Sequence, residues 1–287
     1  MGTVLDVNWR RCSSLVVVVG LVGALAACGT ETKPQTFTAS VDVGTAKPSS
    51  VSGKWPAPTT TTSTTTTTIP AANDGLTVSG SIGPNWPDQF TAADAAGSRV
   101  PLYQAPNVPV PSGRVLTNPT HEGVPLTMLV RKEQGDWLQV QIQSRPNGAT
   151  AWIRRSDVVL RTVPNHILIE LGAKRLTVFH GKDVVWSASV APGKASSPTP
   201  TGSFYVDALA KPANPNGSYG AYQVSFTGFS NVYQTFGSGN GQVAAHGTNR
   251  PELIGTPASH GCVRLSNADV TVLVTLARQG TPVDVVP

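Results

Sequence analysis

His246-Gly-Thr-Asn-Arg-Pro-Glu-Leu-Ile-Gly-Thr-Pro-Ala-Ser-His-Gly-Cys-Val-Arg-Leu265 gathers two of the chain's five histidines and one of its three cysteines into a single short run. A thiol attacks carbonyls well only when a neighbour lowers its pKa or takes its proton, and an imidazole does either. His260 lies two residues before Cys262, so in an extended segment both side chains leave one face. His246 reaches the thiol only if residues 247–258 loop back, and Gly247, Pro251, Gly255 and Pro257 punctuate that segment as a loop requires. Gly261 has no Cβ to obstruct a substrate carbonyl, which makes the amides of Gly261 and Cys262 candidate oxyanion donors. Two blander readings stand beside this one. A lone cysteine is commonly a small buried hydrophobe. His246, His260 and Cys262 also count as three zinc ligands with an open fourth position, although no Cys-x-x-Cys or His-x-x-x-His pair supports a metal.

The order His246-Gly-Thr-Asn-x-Pro, Ile254-Gly, Ser259-His-Gly-Cys-Val-Arg resembles the active-site signature of the L,D-transpeptidases of bacterial cell walls, the YkuD-like fold. Leu176-Thr-Val-Phe-His-Gly resembles that family's first hairpin and Thr199-Pro-Thr-Gly-Ser-Phe204 a characteristic strand entry. The resemblance implies Cys262 as nucleophile and His246 as base, oriented by a backbone carbonyl near Gly247. Ser259, His260 and Gly261 would shape the pocket, and Arg264, where some members carry asparagine, could hold a substrate carboxylate through a bidentate bond. It further implies a tetrapeptide stem of peptidoglycan as acyl donor, an amine of a neighbouring stem as acceptor, and no cofactor or metal. Water in place of the amine would make an L,D-carboxypeptidase. A noncatalytic peptidoglycan-binding lipoprotein is the alternative of another class.

Residues 1–27 read as an export signal, with Arg10 and Arg11 before an apolar run from Leu15 to Ala27 that is too short for a typical spanning helix. Leu25-Ala-Ala-Cys28 resembles a bacterial lipobox, which implies a lipid on Cys28 and attachment to the extracytoplasmic face of the membrane. Cys12 then leaves with the signal and Cys28 is blocked, so Cys262 has no disulfide partner. A single thiol outside the cytoplasm is a liability unless it does chemistry.

Residues 28–94 form a Thr/Pro-rich stretch, with Thr59 to Thr68 all threonine except Ser63. Such a segment buries too little apolar surface to offset its ordering entropy and reads as a disordered tether. Trp86 and Phe90 point to a docking segment at its end. Residues 95–163 alternate short β-rich runs with turns at Gly135-Asp136 and Asn147-Gly148. Their motifs resemble a bacterial SH3-like barrel. From Gly97 to Thr162 the charge balance is eight basic against four acidic residues, which suits an anionic polymer or a merely solvated face equally.

Residues 164–287 complete a mainly β reading: an SH3-like small barrel followed by a YkuD-like β-sandwich catalytic domain with one or two helices. Strands are expected near Ile167–Leu171, Leu176–Phe179, Val184–Val190, Gly202–Ala208, Tyr222–Phe226, Val243–Ala245 and Thr281–Val286. Ser266-Asn267 should cap a helix presenting Val270, Leu273, Val274 and Ala277, with Gly280 as its stop. The loops 211–220 and 228–241 have the length and composition of lids. Tyr219, Tyr222 and Tyr233 could line the groove but, as isolated aromatics, read first as core or rim residues, and His121, His166 and His180 read as surface or strand-end residues. The chain is expected to act as a monomer. The formal net charge of +5 comes without a dense basic tract or a phosphate loop, so nucleic acid is not an expected partner.

Overall fold

The computed structural model describes residues 86–109 and 113–287, together with the backbone of Thr77–Val78. The signal run, Cys28 and most of the tether lie outside the described residues.

The first part supplies β1 (Thr77–Val78), β2 (Phe90–Ala95), β3 (Arg99–Pro101), β4 (Tyr103–Ala105), β5 (Val108–Pro109), β6 (Val115–Thr117), β7 (Thr127–Gln134), β8 (Trp137–Gln141), β9 (Ala149–Arg154) and β10 (Val158–Val163). β3 and β6 pair as a ribbon. The others form one sheet in the order β10-β2-β7-β8-β9-β4-β5, with β1 on β9. Gly135, at φ +55°, makes the tight β7–β8 turn, a conformation glycine adopts without strain. Leu138, Val140 and Ile142 fill the core as their alternation predicts, yet Gln139 and Gln141 between them are buried too. The outer face of β8 is covered: Gln141 Nε2 donates to the Ser203 carbonyl of the second sheet at 2.7 Å. The hairpin cue at Asn147-Gly148 yields a longer loop than two residues, because β8 ends at Gln141 and β9 starts at Ala149.

β2 begins within the stretch read as the tether, and it pairs with both β7 and β10. Trp86 docks as expected, its ring 3.9 Å from that of His166 and 5.5 Å from that of Phe179.

After Pro164 come β11 (Asn165–Glu170), β12 (Arg175–His180), β13 (Asp183–Ser189), β14 (Gly202–Ala210), β15 (Gln223–Phe229), β16 (Gln242–His246), β17 (Val263–Arg264), α1 (Asn267–Leu276) and β18 (Pro282–Val286). The strands order as β13-β12-β11-β18-β14-β15-β16-β17. β11–β18 and β16–β17 are parallel, which long connections permit; the other pairs are antiparallel. Ile167, Ile169, Phe204, Val206, Phe226, Val243, Val263 and Val283 pack with Val270, Leu273 and Val274 of α1 into one core. The i, i+3, i+4 spacing of those helix residues puts them on one stripe. The fold is mainly β with a single α-helix among the described residues, as the sequence suggests.

Ser266 caps α1 by accepting from the Asp269 amide at 3.0 Å. Gly280 does not stop the helix, which ends at Leu276. Gly280 instead marks where the sheets meet: a Cβ there would lie 2.5 Å from that of Ala92. His166 is likewise no surface residue. It is 1% exposed and its Nε2 stands 2.8 Å from Asp284 Oδ2, because the Trp86 segment covers the end of β11. His121 is exposed beside Glu122, and His180 meets Asn165 at an exposed strand end.

Candidate active site

His246 is the last residue of β16 and Cys262 immediately precedes β17. The parallel register matches Ala245 with Val263 and His246 with Arg264. Since side chains alternate along a strand, Ala244, His246 and Arg264 share one face, and Cys262 sits in the bend that leads into β17 beside them. The Ala244 amide is directed at the thiol. This juxtaposition needs the 247–258 loop to return, and the structure shows what holds it. A 3-10 turn spans Pro251–Leu253, the Gly255 amide donates to the Val190 carbonyl at 3.1 Å, and the amides of Ala258 and Ser259 both donate to the Pro192 carbonyl at 3.0 Å.

Residues 260–262 are bent, not extended, so the same-face argument for His260 and Cys262 fails. His260 is exposed and its ring lies 5.5 Å from Phe236 and 6.3 Å from Tyr233, in the 230–241 hairpin. His246 instead faces Tyr219, ring to ring at 5.0 Å. Among the described residues no cluster of three His, Cys, Asp or Glu side chains forms.

The bend explains Gly261. Its φ of +127° is a conformation L side chains rarely adopt, whereas a Cβ there would make only ordinary contacts. Backbone geometry, more than room for a substrate, selects glycine. Ser259 fixes the bend: its Oγ accepts from the Gly261 amide at 3.0 Å and donates to the Cys262 carbonyl. The Gly261 amide is therefore already engaged, and of the two candidate oxyanion donors only the Cys262 amide remains.

His246 is 4% exposed, and its Nδ1 stands 2.6 Å from the Gly247 carbonyl oxygen. A carbonyl can only accept, so Nδ1 carries the proton and Nε2 presents a lone pair. Burial lowers the pKa of His246 to about 4; the Gly247 bond opposes that shift and the charge of Arg264 adds to it. Burial raises the pKa of the Cys262 thiol, while the Ala244 amide and Arg264 act to lower it. At rest the site therefore holds a neutral imidazole and a neutral thiol. Arg264 lies on the shared face, and its buried Nε has no partner among the described residues.

Two residues outside the expected set belong here. Tyr219 touches His246, and burial followed by the proximity of Cys262 raises its phenol pKa while Arg264 lowers it. Asn267, expected only to help cap α1, places Oδ1 3.1 Å from the Ala221 amide and 3.2 Å from that of Thr248. That oxygen fills a gap between Gly220 and Gly247, where a Cβ would come within 2.1 Å and 2.2 Å of it, respectively. The glycine beside each partner was the available signal, but pairing them needs the fold.

The family model for the L,D-transpeptidase catalytic domain YkuD matches residues 164–285. The putative L,D-transpeptidase YkuD of Bacillus subtilis (strain 168) is 37% identical over 124 residues, covering 43% of this chain and 67% of that protein. Among solved structures, the catalytic domain of the E. faecium L,D-transpeptidase matches with a TM-score of 0.32 and 23% identity, over 43% of this chain and 98% of that one. Bdellovibrio bacteriovorus Bd1075 matches with a TM-score of 0.33 and 24% identity, over 43% of this chain and 47% of the other, about half its length. With the signature residues brought onto one sheet edge and a relative matched at this identity over this length, the chain belongs to the YkuD family of L,D-transpeptidase catalytic domains.

Proposed function

We propose that the chain is a cysteine-dependent L,D-transpeptidase that forms 3-3 cross-links in peptidoglycan. One observation carries the reading: a neutral imidazole, its Nδ1 proton held by the Gly247 carbonyl, ends β16 in register with Arg264, two residues after Cys262 on the paired strand. His246 Nε2 takes the thiol proton as Sγ attacks the carbonyl carbon of the third residue of a tetrapeptide stem. Because both groups rest neutral, proton transfer accompanies attack. The Ala244 amide and Arg264 favour the negative sulfur, and the Cys262 amide is the donor for the oxyanion. The bond to terminal D-alanine breaks, and its amine leaves with the proton from His246. An amine of a second stem then attacks the thioester, gives a proton to His246, and expels the sulfur, which recovers its proton. Water as acceptor yields the L,D-carboxypeptidase product instead.

The setting completes the proposal. The Leu15–Ala27 run and the lipobox-like Leu25-Ala-Ala-Cys28 support export and lipid attachment, the Thr/Pro-rich stretch a tether toward the wall, and the motifs of 95–163 an SH3-like unit ahead of the catalytic domain. We read the protein as a monomer acting at the extracytoplasmic face of the membrane.

Purified enzyme incubated with a disaccharide tetrapeptide should yield the 3-3 dimer with loss of D-alanine. Meropenem should add one covalent adduct by intact mass, lost in Cys262→Ser. Tripeptide without dimer would point to the carboxypeptidase; binding to sacculi with neither product nor adduct would sink acyl transfer altogether.

A further inference from the structure

From within, the 230–241 hairpin beside the thiol is tied at its neck and tip and by Ser230 Oγ, which accepts from the amides of Val232 at 3.2 Å and Tyr233 at 3.0 Å. Between its neck, where the Ser230 amide donates to the Gly241 carbonyl, and its tip, where Phe236 and Gly239 exchange amide bonds, nearly every residue is exposed. What grips it from outside belongs to the other sheet. Arg145, in the β8–β9 loop, sends Nε to Gln234 Oε1 at 2.9 Å and Nη2 to the carbonyls of Tyr233 at 2.9 Å, Asn240 at 3.2 Å and Ser230 at 3.4 Å. Its guanidinium carbon also sits 4.6 Å from the centre of the Phe229 ring. The neck is closed around this group: a Cβ on Gly241 would lie 2.2 Å from the Tyr233 carbonyl oxygen and 2.9 Å from Arg145 Nη2. Asn147 exchanges two 2.8 Å bonds with the Phe229 backbone, and Gln143 donates to Gln242 at 2.8 Å. The same loop thus holds both ends of the hairpin.

The hairpin's aromatic side chains point the consequence at the chemistry. Tyr233 and Phe236 pack on each other at 5.5 Å and both face His260, two residues from Cys262. We propose that Arg145 is a positioning residue for acyl-donor binding: from the N-terminal sheet it sets the pose of the 230–241 hairpin, whose Tyr233 and Phe236 wall the donor's approach to Cys262. The proposal rests on the acyl-transfer reading of the site. A planar fork of fixed donors suits several convergent carbonyls, which a lysine ammonium serves less completely.

Hydrogen exchange and donor kinetics on the full chain test it together. In Arg145→Ala, amide exchange across 230–241 should quicken about tenfold while the core strands β11 and β18 keep their protection. The KM for the tetrapeptide donor should rise about tenfold with kcat within about threefold, because the hairpin binds substrate without touching the reacting atoms. Arg145→Lys should fall between wild type and alanine in both readings, and it carries the test if Arg145→Ala does not fold. Unchanged exchange in 230–241, or a loosened hairpin with an unchanged donor KM, overturns the proposal. A wild-type protein that takes no acyl group from either meropenem or the tetrapeptide sinks the reading beneath it, and the exchange arm then still decides whether Arg145 holds the hairpin.

Discussion

His246 Nδ1 lies 2.6 Å from the carbonyl oxygen of Gly247, the next residue in the chain, so the base takes its orientation from its own backbone and not from a carboxylate. Among the described residues no negative partner offsets burial, and the pKa falls to about 4. Acylation of Cys262 should accordingly lose rate on the acid side only near pH 4, and an acid limb close to an ordinary histidine near 6.5 would contradict the assignment. The rate of meropenem adduct formation against pH measures it. The same shift acts on stability. Folded His246 binds its proton more weakly than the unfolded chain does, so its contribution is complete above about pH 6.5 and is lost as pH falls toward about 4. His246→Gln should flatten that part of the stability curve.

Asn267 holds two amides with one oxygen, and both belong to segments that frame the base. Asn267→Ala should cost about 2 kcal/mol by leaving those donors unpaired, while Ser266 still caps the helix. Donor turnover should fall further than stability alone explains, since Thr248 and Gly247 follow His246 directly. Asn267→Asp retains an acceptor and should recover part of both losses. Chemical denaturation and steady-state kinetics on the two variants distinguish support of the base loop from a simple loss of packing.

The contrast between Asn267 and Cys262 shows what the sequence made legible. Cys262, His246 and the strands at Ile167, Phe204 and Val283 lie in local patterns, an ordered signature or an apolar alternation, which need no knowledge of distant partners. Asn267 and Arg145 owe their roles to residues far along the chain, and nothing in their neighbourhoods marks them, whereas Tyr219 sits in a lid-like loop but needs the fold to set it against His246. His166 misled for the same reason, because a strand-end histidine becomes a core residue only once Trp86 packs on it. The bend at Gly261 inverted a face argument that depended on extended backbone.

Asp207 offers a pH dependence of the opposite sign. Burial raises its pKa to about 7, although Gln242 Nε2 donates to Oδ2 at 2.7 Å, and Oδ1 is buried with no partner among the described residues. Its folded pKa exceeds the unfolded one, so the protonated form stabilises fully below about 3.8 and that stabilisation is lost as pH rises to about 7. Asp207→Asn removes the buried charge and keeps an acceptor for Gln242. It should stabilise by about 1 to 3 kcal/mol at pH 8 and by little at pH 4. Denaturation midpoints at the two pH values check this, and an equal effect at both would rule out the ionisation.

Ser259 ties the turn that presents the nucleophile, accepting from the Gly261 amide and donating to the Cys262 carbonyl while itself 1% exposed. Ser259→Ala would strand a buried amide, at about 1 to 3 kcal/mol, and release the Cys262 carbonyl. The released Gly261 N–H and Cys262 carbonyl flank the peptide that carries the Cys262 amide, the one candidate oxyanion donor left uncommitted, so that donor loses its fixed orientation and kcat should fall about tenfold to a hundredfold with donor KM less affected. Ser259→Thr keeps the hydroxyl and should retain most of the rate if its methyl is accommodated. If alanine lowers stability yet leaves kcat intact, the oxyanion is held elsewhere and the Cys262 amide loses its assigned part.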